Sequence, residues 1–415
     1  MKRIAALDIG SSKVVYVIGE RDSYGDIHII GVGEVPSKGI YKGTINNLSE
    51  ARVSILRALQ DAEEMAGVKV RDIVFNVSGS SLKNSTIKSQ NERETITVSP
   101  NSTDIEEFHV NRLIERCLTK SKEDGYEIVY YTPRKFILDE QGEVKNPLGL
   151  VGSKLSAEVH IVKVSSTLIR NLEKVIKESG LNPVNKIVSA IASASATLTE
   201  DEKEDGVLLL DIGGGLTDYT VYVEGTPIVT GVVPFGGNNI TKDLSYYLKV
   251  DNEEAERIKL KYGSAFADGV REDEVIKIKP RGEEREVPIS RKNIAIVIQS
   301  RVEEIMEKVL TELDKKNVKL SLLNAGVVIT GGTANLQGIK ELVENMTGLP
   351  ARIGIPKGII GLRERIEDPK YSTVVGLLKL GVSENIPEVH TDSQKNGWSL
   401  KDLLERFWNW LKELS

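Results

Sequence analysis

Residues 1–35 alternate short apolar, β-branched runs with glycine-containing turns, which predicts a strand-rich start to the chain. The predicted strands span residues 4–7, 14–18, 27–32 and 72–78. Before the last of them, apolar residues recur at helical spacing over 47–67 and end at Gly67, which predicts a helix with a glycine C-cap. Strands mixed with a helix in this way are typical of an α/β domain.

A polar stretch from about residue 83 indicates a boundary, and residues 84–160 are predicted to form a compact inserted unit. Its pattern predicts one helix over residues 104–120. It also predicts four strands, over residues 94–98, 127–131, 134–138 and 158–164. After the insert we expect a helix over 164–180 with Ser165 or Ser166 as its N-cap. A run of small apolar residues over 185–196 and a charged surface turn at 199–205 follow.

The second half of the chain carries similar patterns with longer helices. Helices are predicted over 240–248, 252–262 and 291–314. The strongly charged run 271–291, which has alternating apolar positions, predicts exposed strands or loops. An apolar strand over 325–330 is followed by Gly331-Gly332 and then by a predicted helix.

The last residues differ in kind from the rest. Residues 385–397 have the composition of a linker, and 398–415 predict an amphipathic helix whose start, Ser399 with Asp402, resembles a capping box. One side of this helix is apolar and rich in aromatic residues, and the predicted membrane-binding set is Trp398, Leu400, Leu403, Leu404, Phe407, Trp408, Trp410, Leu411 and Leu414. Tryptophan beside leucine suits an interfacial membrane helix, and the alternative is a helix docked on protein.

The charges on the opposite side of this helix balance. The basic residues Lys401, Arg406 and Lys412 match three acidic residues, Asp402, Glu405 and Glu413. We therefore expect weak attraction to anionic lipid, so that apolar burial at about 25 cal/mol per Å² supplies the affinity. One such helix binds marginally, and a polymer would strengthen the binding through avidity.

Composition narrows the class of protein. A chain of 415 residues is expected to form two to four domains. A net charge of −6 and a pI near 5.6 argue against general nucleic-acid binding. Cys117 is the only cysteine, which excludes an internal disulfide and suits a reducing compartment. No leader segment precedes the first predicted strand and no apolar stretch is long enough to span a bilayer, so we expect a cytoplasmic protein with peripheral membrane contact.

Two similar segments lie about half the chain apart and carry the candidate chemistry. Each predicts a strand, a tight turn and a second strand, and they read Leu7-Asp8-Ile9-Gly10-Ser11-Ser12 and Leu210-Asp211-Ile212-Gly213-Gly214-Gly215. A turn without bulky side chains lets backbone N–H groups approach phosphate oxygens, and an aspartate at the strand end can hold hydrated Mg²⁺. A single turn of this kind is usually structural. Two in matching contexts predict a duplicated α/β half that clamps one nucleotide from both sides.

Together with Thr330-Gly331-Gly332-Thr333, these segments resemble the phosphate-1, phosphate-2 and adenosine motifs of the actin/Hsp70/sugar-kinase ATPase superfamily. The resemblance implies that Asp8 and Asp211 hold Mg²⁺ through water and serve any catalysis. It implies an ATP site lined by Gly10, Ser11, Ser12, Lys13, Gly213, Gly214, Gly215, Thr217, Gly236, Gly237, Glu256, Lys259, Gly331, Gly332 and Thr333. For Glu256 and Lys259, a solvated i,i+3 ion pair is an equal alternative to contact with adenine and ribose.

Fast hydrolysis is not predicted. Members of the superfamily usually place a Glu or Gln in the small-residue segment before the second phosphate turn, where it orients the attacking water. Residues 187–195 contain no carboxylate or amide side chain. Positioning and Mg²⁺ support at most slow ATPase activity.

Over nearly its full length the chain resembles the FtsA family of bacterial actin-like cell-division proteins. The sequence segments on which this resemblance rests are the two aspartate turns with Lys13, Thr330-Gly331-Gly332, Val77-Ser78-Gly79, Asn146-Pro147-Leu148-Gly149-Leu150, Glu158-Val159-His160, Leu198-Thr199-Glu200-Asp201-Glu202 and Pro234-Phe235-Gly236-Gly237. Sugar kinases and chaperones lack both the insert at 84–160 and a terminal amphipathic helix. The near-neutral tail departs from the more basic tails common in the family.

This resemblance implies duplicated RNase H-like halves with four subdomains. The expected divisions are subdomain 1A at 1–83, 161–200 and 355–384, the inserted α+β subdomain 1C at 84–160, subdomain 2A at 201–240 and 302–354, and subdomain 2B at 241–301. It further implies filament formation with ATP, peripheral attachment to anionic or neutral lipid on the cytoplasmic side of the cell membrane at the division site, and recruitment of later division proteins. Subdomain 2B is expected to bind the C-terminal peptide of FtsZ, and the run 271–291 is either a docking surface or a solvated edge.

Two other functions remain as alternatives from the sequence. A sugar or acid kinase of the same fold would need a carboxylate base beside a substrate cleft, and a lipid-binding tail would have no purpose in it. The actin-like scaffold of the type IV pilus system shares the insert but should end without a lipid-binding helix.

Overall fold

The computed structural model describes residues 2–80, 86–140 and 142–382. The predicted linker and amphipathic tail lie outside these residues. The part before the insert contains β1 (Lys2–Ile9), β2 (Lys13–Arg21), β3 (Ile27–Pro36), β4 (Ile40–Tyr41), β5 (Thr44–Ile45), α1 (Leu48–Ala66) and β6 (Asp72–Val77). The insert contains β7 (Ile87–Thr97), β8 (Thr103–Asp104), α2 (Glu107–Lys120), β9 (Tyr126–Leu138), β10 (Gly142–Val144), β11 (Val151–Gly152) and β12 (Lys154–Ser165).

The remaining elements follow in chain order. They are α3 (Ser166–Glu178), β13 (Asn182–Val188), α4 (Ser189–Thr197), α5 (Glu200–Asp205), β14 (Val207–Ile212), β15 (Thr217–Val223), β16 (Thr226–Val233), α6 (Gly237–Leu248), α7 (Asn252–Tyr262), β17 (Val275–Ile278), β18 (Val287–Ser290), α8 (Arg291–Lys315), β19 (Gly326–Thr330), α9 (Ile339–Thr347), β20 (Ala351–Ile353), α10 (Arg363–Ile366) and α11 (Ser372–Val382). Within the described ranges, no helix combines the length and apolar character that crossing a bilayer requires.

Two five-stranded sheets share one topology, which confirms the predicted duplication. The first has the order β3-β2-β1-β6-β13 and the second the order β16-β15-β14-β19-β20. In the first, β1 pairs antiparallel with β2 and parallel with β6. In the second, β14 pairs antiparallel with β15 and parallel with β19. Each aspartate turn therefore follows the central strand of its own sheet.

Helix α1 shows why the first half folds as the pattern predicts. Its buried residues recur at helical spacing and pack on the first sheet; they are Ala51, Ser54, Ile55, Ala58, Leu59 and Ala62. The Asn47 side chain accepts a hydrogen bond from the Glu50 N–H and caps the start. Gly67 ends the helix in the left-handed conformation at φ 66°, as predicted.

Helices α4 and α11 cross at the base of the first half. A Cβ added at Gly376 would lie 1.8 Å from the Ala192 carbonyl oxygen, so only glycine permits this approach. The crossing explains the small residues of α4, which is almost wholly buried. It also places the first turn of α11 beside the second sheet, since the Ser372 and Thr330 hydroxyl oxygens are 2.6 Å apart.

The insert is an antiparallel sheet of order β10-β9-β12-β7 with α2 packed against it. His160 of β12 lies fully buried where this sheet meets β16. Its Nδ1 donates to Asn91 Oδ1 at 2.8 Å, and its Nε2 accepts from Thr230 Oγ1 at 3.1 Å. The neutral ring thus joins the insert to the second half, and burial lowers the pKa of His160 to about 3.

Three local predictions are wrong. One strand, β9, replaces the two predicted at 127–131 and 134–138, because Pro133 lies at a register shift and the ladder with β12 continues past it. The predicted turn at 199–205 is helix α5, stabilised by a reciprocal capping box between Thr199 and Glu202. Helix α9 begins only at Ile339, because a 3-10 turn over Gly332–Asn335 follows Gly331.

Most other predicted elements are confirmed with shifted ends. Helix α7 has the predicted bounds, and Ser165 occupies the N-cap position of α3 without a side-chain capping bond. The charged run 271–291 contains the two-stranded β17–β18 sheet, which matches the prediction of exposed strands or loops.

Acid should destabilise the protein through His160. The folded state keeps this ring neutral down to about pH 3, whereas an unfolded chain binds a proton near pH 6.5, so stability falls as the pH drops below about 6.5. Between pH 7 and 5 this residue alone should lower the free energy of unfolding by about 2 kcal/mol. Urea unfolding at pH 7 and pH 5 measures this change. The free energy of unfolding should fall less between the two pH values in the His160→Gln variant than in the wild type. The control is His109→Gln on the half-exposed face of α2, and an equal loss in both variants would contradict the account.

Candidate functional site

A cleft of about 400 Å³ lies between the two halves, a volume within the usual range of ligand sites. Most of the predicted nucleotide residues line it, namely Asp8, Gly10, Ser11, Ser12, Lys13, Asp211, Gly213, Gly214, Gly215, Gly237, Glu256, Lys259, Gly331, Gly332 and Thr333. They come from both aspartate turns, from the start of α6, from α7 and from the turn after β19. The duplicated turns therefore share one cleft, as the sequence repeat predicts.

The tips of the two turns lie in direct contact. Ser12 Oγ donates to Asn238 Oδ1 at 3.1 Å, and Asn238 N–H bonds to the Gly214 carbonyl at 2.7 Å. A Cβ added at Gly214 would lie 1.8 Å from Ser12 Oγ, so a larger residue there would push the tips apart. The glycine thus permits the approach of the two halves.

Backbone donors are available at these tips. In the described part of the chain, the N–H groups of Ser11, Ser12, Gly214 and Gly215 have no protein acceptor. They lie beside the cleft on both turns, as a phosphate cradle requires. These unpaired donors are the feature of the cleft that best fits a phosphate group.

Two buried carboxylates face this cleft from opposite halves. Burial raises the pKa of Asp8 to about 6; Lys13 opposes the shift, and the charge of Asp211 adds to it. Burial also raises the pKa of Asp211, while hydrogen bonds from Ser193 and Thr373 oppose that shift. Carboxylate oxygens are ligands that Mg²⁺ prefers, directly or through water, so the donor set fits hydrated Mg²⁺.

Lys13, which follows the first aspartate turn, interacts electrostatically with both carboxylates. Its Nζ donates to the Lys370 carbonyl at 2.5 Å and lies 4.7 Å from the centre of the Tyr371 ring. Burial lowers the pKa of Lys13, and Asp8 opposes the shift. The segment before α11 thereby holds the ammonium of Lys13 at the cleft.

Several polar residues of the cleft were not predicted as site residues. Asn76 Oδ1 accepts from the Ile9 N–H at 2.7 Å, and its Nδ2 donates to Ser189 Oγ at 3.2 Å. Ser78 Oγ donates to Asp218 Oδ1 at 2.6 Å, and burial together with Asp211 raises the pKa of Asp218 well above its usual value. A polar side chain inside the apolar run 72–77 was the available signal for Asn76.

The pair Glu256 and Lys259 forms the ion pair that the spacing allows, at 2.7 Å. Lys259 Nζ also donates to Thr241 Oγ1 at 2.9 Å and to the Gly237 carbonyl at 3.2 Å. Both residues line the cleft as well, so the ion pair and a ligand contact are compatible.

Two predicted residues lie outside the cleft lining. The Thr217 side chain is fully buried, and its hydroxyl donates to the Phe235 carbonyl at 2.9 Å. Gly236 is the N-cap of α6, and its N–H bonds to Asn239 Oδ1 at 3.1 Å. Both hydrogen bonds fix the backbone of the segment that leads to Gly237.

Family models and individual relatives both show similarity between this sequence and FtsA proteins. A family model described as "Cell division protein FtsA" matches residues 208–376, and one described as "SHS2 domain inserted in FTSA" matches residues 84–163. The cell division protein FtsA of Neisseria meningitidis serogroup B is 35% identical over 411 residues, covering 99% of this chain and 98% of that protein. That of Escherichia coli K12 is 31% identical over 418 residues, with the same coverage of 99% and 98%.

Solved structures with low sequence identity share the fold. A PilM–PilN type IV pilus biogenesis complex matches with a TM-score of 0.64 at 16% identity, covering 91% of this chain and 98% of the other. MreB5 of Spiroplasma citri bound to ADP gives 0.55 at 14% identity, with coverage of 92% and 99%. A MamK double helical filament gives 0.51 at 12% identity, with coverage of 91% and 98%. The mixed α/β architecture is therefore the actin-like fold that the sequence predicts, with its inserted domain.

The contact between the turn tips can be tested at Gly214. Gly214→Ala should weaken ATP binding by about tenfold or more, because the added methyl displaces Ser12 and widens the cradle. Titration with a fluorescent ATP analogue measures the change.

Gly269→Ala is the matched control for this substitution. Its added Cβ would meet only Phe266 Cδ1, at an ordinary 3.5 Å. Equal affinity of the Gly214→Ala variant and the wild type would show that the tips do not form the cradle.

Proposed function

The chain belongs to the FtsA family of cell-division proteins, and from that premise we propose that it links nucleotide-controlled filaments to the membrane at the division site. The observation that carries the proposal is 35% identity to a named FtsA over 99% of this chain. The protein is thus an actin-like cell-division protein. Its ligands, partners and membrane attachment are the proposed part.

We propose ATP with Mg²⁺ as the ligand of the cleft. The free N–H groups of Ser11, Ser12, Gly214 and Gly215 are suited to bind phosphate oxygens, and Asp8 and Asp211 are suited to hold the waters of the metal. When bound, the metal would neutralise phosphate charge. The ADP complex named for MreB5, a neighbour in fold, supports this choice of ligand.

Hydrolysis is proposed to be slow. In the segment 187–195, which contains no carboxylate or amide side chain, Ser189 lines the cleft, and Asn76 donates a hydrogen bond to its hydroxyl. A hydroxyl orients an attacking water less effectively than a general base, so nucleotide binding would govern assembly more than turnover does.

Self-association and FtsZ binding complete the proposal. The neighbour in fold named as a MamK double helical filament supports filament formation. Residues 241–301, which contain α7, the sheet β17–β18, most of α6 and the start of α8, are proposed to bind the C-terminal peptide of FtsZ, as the family resemblance implies. In the charged run, Arg271 pairs with Asp273 and Arg291 pairs with Glu274, so these charges are partly compensated within the run itself.

Attachment to lipid is assigned to the predicted helix at 398–415. Its apolar arc with Trp408 and Trp410 is suited to the headgroup region, and its balanced charges make the affinity depend on apolar burial. A filament presents many such helices together, which raises the effective affinity through avidity. Later division proteins would be recruited to the attached filament.

The alternatives from the sequence are disfavoured. The type IV pilus structure shares only 16% identity, so that likeness shows the fold alone. Full-length identity with FtsA proteins favours cell division over a sugar or acid kinase as well.

Membrane attachment can be tested with single charges on the tail. Leu404→Asp should reduce co-sedimentation with liposomes by tenfold or more, because it places a carboxylate on the apolar arc. Asn409→Asp adds the same charge on the polar side and should bind like the wild type. ATP binding should be unchanged in both variants, and full co-sedimentation of Leu404→Asp or of a chain ending at residue 397 would refute the membrane role.

A further inference from the structure

The Asp211 carboxylate is held by two hydroxyl groups that come from the opposite half of the molecule. Asp211 is the penultimate residue of β14 in the second sheet, whereas Ser193 lies on α4 and Thr373 lies in the first turn of α11. Thr373 Oγ1 donates to Asp211 Oδ2 at 2.9 Å, and Ser193 Oγ donates to the same oxygen. All three side chains are buried.

The two bonds define the orientation of the carboxylate. Each hydroxyl has one proton, so both protons are committed to Oδ2, and the 3.0 Å contact between the two hydroxyls is a packing contact. The other oxygen, Oδ1, lies beside Gly331, where an added Cβ would come within 2.4 Å of it. Rotation of the carboxylate would therefore break two hydrogen bonds and move Oδ1 away from Gly331.

Thr373 is itself held in place by neighbouring contacts. The Gly331 N–H donates to the Pro369 carbonyl at 3.2 Å, and Lys13 Nζ donates to the Lys370 carbonyl at 2.5 Å. The Ser372 and Thr330 hydroxyl oxygens are 2.6 Å apart. Residues 369–373 thus contact all three motifs that the sequence assigns to the nucleotide.

We propose that Ser193 and Thr373 are positioning residues for Mg²⁺-dependent nucleotide binding, which they serve by orienting Asp211 across the boundary between the halves. Because Ser193 and Thr373 lie on α4 and α11 whereas Asp211 lies on β14, the packing of these two helices beside the second sheet sets the orientation of the carboxylate. The inference rests on the proposed function, and residues that orient metal-binding groups typically contribute 10-fold to 100-fold in metal affinity.

The test replaces Thr373 by valine, which keeps the shape and removes the donor. Binding of a fluorescent ATP analogue is measured across a series of Mg²⁺ concentrations and also in EDTA. Thr373→Val should raise the Mg²⁺ concentration for half-maximal binding about tenfold and leave the affinity in EDTA within about twofold. Thr373→Ser should restore the wild-type response, and Ser193→Ala should change it in the same direction as Thr373→Val.

Thr197→Val is the matched control. Thr197 is a buried threonine of α4 whose hydroxyl donates only to the Ser193 carbonyl of its own helix at 2.7 Å, so its Mg²⁺ response should match the wild type. An unchanged Mg²⁺ midpoint in both Thr373→Val and Ser193→Ala would overturn the inference. An equal loss of affinity with and without Mg²⁺ would also overturn it, because it would indicate damage to the whole cleft. If the wild type itself binds no nucleotide, the proposed function fails, which is a distinguishable result.

Discussion

The burial of two carboxylates at the meeting point of two halves is the constraint on which the rest of the structure depends. Asp8 and Asp211 are both penultimate residues of central strands, and burial raises the pKa of each. Burial disfavours the ionised form of each carboxylate, and the Lys13 ammonium opposes this effect at both. The cleft therefore presents two acidic side chains that are suited to hold the waters of a cation.

Duplication explains how the carboxylates come to face each other. The two sheets have the same strand order, so each places its aspartate and its glycine turn at the equivalent edge. Helix α4 precedes the second sheet in the chain and α11 follows it, and the two helices cross closely enough to exclude any side chain at Gly376. The crossing and the hydrogen bond between Ser12 and Asn238 are two separate contacts that hold the halves together.

Local signals made much of this arrangement predictable. The aspartates stand out because each follows an apolar strand and precedes a glycine turn, and the helix over Leu48–Ala66 has both caps in its sequence. Ser193 and Thr373 were not predictable as site residues, because their role arises only when two helices distant in sequence cross beside β14. The prediction of two strands in place of β9 was wrong for a similar reason. A register shift in the pairing with β12 accommodates Pro133, and that pairing is not visible in the local sequence.

The position of the metal tests the central claim most directly. Crystals grown with ATP and Mn²⁺ in place of Mg²⁺ would show the cation by its anomalous scattering. The account predicts one peak in the cleft between the Asp8 and Asp211 carboxylates, at a separation bridged by water. A peak elsewhere, or a nucleotide bound with no cation near either aspartate, would contradict it.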